Sequence, residues 1–146
     1  MVKQFLCTLV SVVALYMLTV FSANAAEGIL FQCKLADGGT VVAARSGTDV
    51  NVKAVDSSNV IIADVSNPIT ETGLANIEKD KGGSIDSLDV LNDTVQYSVI
   101  VEHNGLANVS SFVVFSDTAK HAYLCDPTSV VNHLNSKRLT KGIFRP

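Results

Sequence analysis

Residues 95–115 read VQYSVIVEHNGLANVSSFVVF. Val95, Tyr97, Val99 and Val101 recur at every second position, the period of a strand with one buried face. His103-Asn104-Gly105 follows, and Asn-Gly is a strong hairpin signal because both residues tolerate positive φ. Ala107, Val109, Ser111, Val113 and Phe115 then alternate on the return. The stretch predicts two antiparallel strands around a tight turn, and the same period extends from it in both directions.

Downstream, Ser116-Asp117 makes another turn and Ala119–Cys125 is the last strand. Upstream, Leu88 and Val90 alternate from about Ser87 until Asn92-Asp93 breaks the run. Nearer the N-terminus, Ile29, Phe31, Cys33 and Leu35 share one face of a strand. Asp37-Gly38-Gly39 turns into Thr40–Ala44, and Val50, Val52 and Ala54 alternate in a third strand. Asp56-Ser57-Ser58-Asn59 is turn chemistry and leads to Val60–Val65. Two segments depart from period two. Thr70 is placed to cap a short helix over 71–79, with Leu74 and Ile77 as its buried contacts and Gly82 as a stop. A structured loop is the alternative there. Asp126-Pro127 opens a short C-terminal helix with a capping acid and proline at the first helical position, and Val130, Val131 and Leu134 form its stripe. The expected fold is mainly β: an antiparallel sandwich or partly closed barrel of about seven or eight short strands with a short C-terminal helix.

The N-terminus has a different character. Lys3 precedes Phe5–Phe21, an uncharged apolar run of 17 residues. Ala23-Asn24-Ala25 then offers small residues at −3 and −1 of a cut between Ala25 and Ala26. Residues 1–25 are expected to be a cleaved signal peptide and 26–146 one β-rich domain, periplasmic or secreted. A retained anchor would need a run of roughly 17–25 residues, and it usually lacks the Ala-x-Ala exit. Cleavage would remove Cys7 and leave an even pair, Cys33 in the first predicted strand and Cys125 ending the last. In an oxidising compartment the simplest use of that pair is one disulfide. A metal site or reactive thiol is the alternative, but one Cys-His pair, Cys125 with His121, supplies too few ligands for zinc.

Composition narrows the partners. The net charge of −3 becomes −4 once Lys3 leaves, which argues against nucleic acid, whose phosphates need clustered cations. Lys137, Arg138, Lys141 and Arg145 do crowd the tail after the last acid, Asp126. They read as a solvated, frayed terminus or as an electrostatic contact with an acidic partner or anionic surface. There is no tryptophan, and aromatic platforms for flat ligands are scarce. The Gly-x-Ser-x-Gly elbow and phosphate-loop spacing are absent. His103 sits at a hairpin turn, His121 on the last strand and His133 on the expected C-terminal helix, without metal-site spacing. Asp86, Asp89, Glu71 and Glu78 read as solvated acids rather than a glycosidase pair. Asn92-Asp93-Thr94 and Asn108-Val109-Ser110 match the glycosylation acceptor pattern, which carries meaning only in a eukaryotic secretory pathway.

Phe31-Gln32-Cys33-Lys34-Leu35-Ala36-Asp37-Gly38, taken with Tyr123-Leu124-Cys125, resembles the layout of the periplasmic C-type lysozyme inhibitors, in which an early cysteine pairs with one at the far end. Their inhibitory loop, a Ser-Gly run followed by a tyrosine, has no counterpart, since Ser46-Gly47 lacks the tyrosine. The expected function is a non-enzymatic exported binding protein, an inhibitor or immunity protein acting on another exported protein, without a cofactor and without stable membrane insertion after cleavage. A pilin-like or surface structural subunit and a secreted effector of a pathogen are the alternatives. An enzyme would require His121 or His133 to meet an acid in a cleft.

Overall fold

The computed structural model describes residues 28–146. The expected signal segment and the expected Ala25–Ala26 cut lie outside the described residues. β1 (Gly28–Lys34), β2 (Thr40–Ser46), β3 (Asp49–Val55) and β4 (Ile61–Pro68) form an antiparallel meander. A single 3-10 turn, Ile69–Glu71, leads into a second meander of β5 (Thr72–Glu78), β6 (Ser84–Asn92), β7 (Val95–His103), β8 (Asn108–Phe115) and β9 (Lys120–Leu124). After the 3-10 turn Pro127–Ser129, β10 (Val131–Asn132) returns to pair with β1. The result is two five-stranded sheets, β10-β1-β2-β3-β4 and β5-β6-β7-β8-β9. The sandwich expectation holds, with ten strands among the described residues where seven or eight were expected.

Two expected helices are strands or turns instead. Residues 72–78 form β5, with Thr72 and Leu74 buried on one face. Gly73 is a poor helix former, and Gly82 and Gly83 take positive φ at the hairpin tip that returns the chain to β6. A β-carbon on Gly83 would lie 2.2 Å from the His103 carbonyl oxygen, so only glycine lets this tip close against the end of β7. At the C-terminus, Asp126 caps as expected, accepting from the Thr128 N–H at 2.9 Å. The helix it starts is only Pro127–Ser129. The β-branched Val130 and Val131 favour extended backbone, and β10 pairs with β1 through Gln32–Val131 and Phe31–Asn132.

The core lies between the sheets. The first sheet contributes Phe31, Cys33, Val41, Ala43, Val50, Val52 and Ala54, and the second Leu74, Leu88, Val90, Val99, Val101 and Phe112. Two phases differ from simple alternation. A β-bulge in β1 makes Ile29 oppose Ala44 and Phe31 oppose Ala43, leaving Leu30 as the extra residue. Leu30 and Phe31 are therefore both buried while Ile29 is exposed, the usual consequence of one inserted residue in a period-two ladder. In β8 the core face is Ser110, Phe112 and Val114, opposite Val101, Val99 and Tyr97. It is not the set Val109, Ser111, Val113 and Phe115. The hairpin loop runs over 104–107, so His103 opposes Asn108 and odd positions on β7 face even positions on β8.

Cys33 and Cys125 are joined in a disulfide spanning 92 positions of sequence, Cα–Cα 5.7 Å. It links β1 of the first sheet to the end of β9 in the second. Beside it Leu35 bridges Cys125, and Ala36 N–H donates to the Leu124 carbonyl at 2.8 Å. The C-terminal segment is packed rather than frayed. Leu139, Thr140 and Ile143 are buried, and Phe144 adds a parallel bridge to Gly73 on β5. Among the described residues no helix is long and apolar enough to cross a membrane.

Candidate functional site

The alternation that buries Leu88 and Val90 on β6 also turns Asp86 inward, where it is 2% exposed. A carboxylate removed from water must be satisfied by hydrogen bonds or a partner charge, and here it receives three donors. Asn76 on β5 donates its side-chain amide to Oδ1. On Oδ2, His103 Nε2 lies at 3.0 Å and Asn135 Nδ2 at 3.2 Å. Asn135 comes from the segment after β10, so the cluster ties that segment to the second sheet. His103 is in phase with Val99 and Val101 and ends β7. Its Nδ1 lies 3.1 Å from Asn108 Oδ1.

The chemistry follows from the donor inventory. An ionised carboxylate only accepts, so Nε2 carries the proton shared with Asp86. The Nδ1 contact closes in either of two ways: the imidazolium donates to Asn108, or the neutral ring accepts from an Asn108 amide in the opposite orientation. Both ring nitrogens are engaged. A general base needs a nitrogen facing the proton it abstracts, and this imidazole presents none without leaving a partner. The arrangement holds a proton at the edge of the core and fixes the ends of four strands.

The other flagged residues are dispersed. Asp89 projects from the opposite face of β6 and accepts from Ser98 Oγ at 2.6 Å and Gln96 Nε2 at 3.2 Å. His121 opposes Val114 on β9, and His133 Nδ1 donates to the Ile29 carbonyl at 2.9 Å. Glu71 and Glu78 are exposed. Among the described residues no three His, Cys, Asp or Glu side chains converge as a metal site would require. A shallow groove of about 580 Å³ on the outer face of the first sheet is lined by Val42, Ala44, Arg45 and Lys53 among others. Its cations are partly committed: Arg45 donates to the carbonyls of Leu139 and Lys141 at 3.0 and 2.6 Å, and Lys53 lies 4.0 Å from Asp64.

Beyond the Asp86 cluster stand the two hairpin tips. Lys79, leaving β5, donates to Glu102 at 2.9 Å and to Asn104 at 3.1 Å, so one ammonium braces both tips. Bonding to Lys79, and the field of its charge, hold the Glu102 carboxyl below its ordinary range. At the β7–β8 tip Leu106 projects fully into solvent, 106% exposed. On the outer face just below, Ile77, Ile85, Glu102 and Val109 form one cross-strand row, in which Ile77 and Val109 are exposed. Leu106 is thus an exposed apolar side chain on a tip braced by Lys79, with exposed Ile77 and Val109 on the outer face of the sheet.

The sequence reading missed Asp86, His103 and Leu106 as a group. Asp86 lies in phase with Leu88 and Val90, and His103 with Val99 and Val101, so extending each core face by one step finds both. Asn135 follows no such pattern, and only the return of the chain over the second sheet brings it in. Comparison with known families, curated proteins and solved structures returns no match.

Proposed function

We propose that the chain is an exported, non-enzymatic binding domain, an inhibitor or immunity protein in class, that engages another exported protein through the β7–β8 hairpin tip and the outer face beneath it. The observation that carries this reading is the full exposure of Leu106 on a tip whose base is held by Lys79 and by the Asp86–His103 pair. An apolar anchor on a pre-ordered loop loses little conformational freedom on docking, so more of its burial appears as affinity. Glu102 and Lys79 beside it supply charge to fix orientation. The disulfide supports export, because such bonds persist in oxidising compartments. Placement in the periplasm or outside the cell rests on the N-terminal signal pattern.

The test compares the protein with its Leu106→Asp variant as bait against periplasmic or culture fractions. Truncating an interface anchor costs on the order of 2 kcal/mol or more, so a specific captured band should fade at least about thirty-fold in affinity while the melting temperature is unchanged. Identical captures by both baits, or no specific capture by either, would refute this reading.

A further inference from the structure

The charge of the chain is segregated. Residues 28–126 carry six Lys and Arg against thirteen Asp and Glu, whereas 127–146 carry four cations and no acid. Those four, Lys137, Arg138, Lys141 and Arg145, are all exposed, and the backbone that carries them is fixed. Leu139, Thr140 and Ile143 between them are buried. The Arg45 guanidinium binds the Leu139 and Lys141 carbonyls from below. Gly142 has a φ of 86°, a conformation that residues with side chains rarely adopt, so glycine suits this turn beside Ile69. Phe144 exchanges backbone hydrogen bonds with Thr72 and Leu74, yet the residue is 59% exposed, with Lys141 three positions before it in sequence and Arg145, which donates to Thr140 Oγ1 at 3.1 Å, following it.

We infer that this C-terminal ledge docks the protein peripherally on an anionic phospholipid surface. The inference goes beyond the binding role proposed above and uses a different face. Exposed cations on the same ordered segment as an exposed aromatic residue match the two contributions to interfacial binding: attraction to anionic headgroups and shallow burial of apolar area. Because the ledge is already ordered, docking requires little further loss of backbone freedom. The acidic remainder of the chain is repelled by the same surface, so the field orients the molecule with the ledge inward. A folded acidic protein would need shape complementarity to the ledge, which a fluid headgroup layer does not.

The test is co-sedimentation of the purified protein, its N-terminus fixed by mass spectrometry, with phosphatidylcholine vesicles with or without about 30% phosphatidylglycerol. Binding is expected only to the anionic vesicles and should fall as salt rises. Each cation near such a surface contributes roughly five-fold in affinity, so Lys137→Ala with Lys141→Ala should weaken binding about 25-fold. Lys137→Arg with Lys141→Arg should keep it. Phe144→Ser should weaken binding without changing the salt dependence. Equal binding to neutral vesicles, no binding to either, indifference to the paired alanines, or binding to soluble polyglutamate and heparin but not to vesicles would each overturn the inference.

Discussion

At the scale of single residues, Asp86 is a buried carboxylate held by three side-chain donors. It sits on the core face of β6 and accepts from Asn76, His103 and Asn135. Its removal lets the exposed Asn76 and Asn135 and the half-exposed His103 turn to water, so the cost is that of the lost hydrogen bonds to a charged group, about 1.5–3 kcal/mol. Asp86→Ala should therefore lower the urea midpoint by that equivalent. Asn135→Ala, which removes one donor from an exposed position, should cost only about 0.5–1 kcal/mol. Equilibrium denaturation of both variants checks the order, and an Asp86→Ala protein as stable as the parent would contradict the role assigned to the carboxylate. Asp126 makes a contrasting local contribution. The Thr128 N–H and hydroxyl hold its carboxyl below the ordinary range, but it is a solvent-side cap on a three-residue turn.

At the scale of elements, period two located β1–β4 and β6–β9 and missed β5 and β10, because β-branched and aromatic residues alternate in the eight it found with little interruption. It failed where tertiary pairing decides. Leu74 and Ile77, spaced as on a helix, fall on opposite faces of β5, since in a strand residues three apart diverge. Val130 and Val131 looked like a helical stripe and instead belong to the chain that joins β1 at its edge. The candidate site was half legible: Asp86 and His103 lie in phase with visible core faces, while Asn135 depends on where the tail crosses. The β1 bulge is the sharpest departure, because strict alternation buries Ile29 and exposes Leu30, whereas the structure reverses them. Leu30→Ala should accordingly cost about 2–5 kcal/mol, and Ile29→Ala less than about 1 kcal/mol. Thermal melts of the two variants separate the registers, since equal losses or the reverse order would place the inserted residue elsewhere.

At the scale of the whole molecule, each sheet is largely a local meander, and the chain crosses between the sheets after β4 and again after β9. The second crossing is where the disulfide lies, with Cys33 on β1 and Cys125 just beyond β9, both buried. Hairpin contacts close short loops, but the contact between β1 and the end of β9 closes a loop of 92 positions. That long closure is what the covalent link spares the folding chain, and entropy arithmetic for loops of this length gives about 4–5 kcal/mol. A sandwich of this size has a net stability of roughly 5–15 kcal/mol, so the bond accounts for a large share of it. Cys33→Ala with Cys125→Ala should lose at least about 4 kcal/mol in urea unfolding, since two buried side chains are truncated as well. The loss should come with little change in the β signature of the circular dichroism spectrum wherever the variant stays folded, because both meanders keep their own ladders. The parent treated with reductant under native conditions should react slowly at these buried sulfurs and destabilise only as thiols appear. A paired-alanine variant with the parent's urea midpoint would show that the two sheets are held by their packing alone.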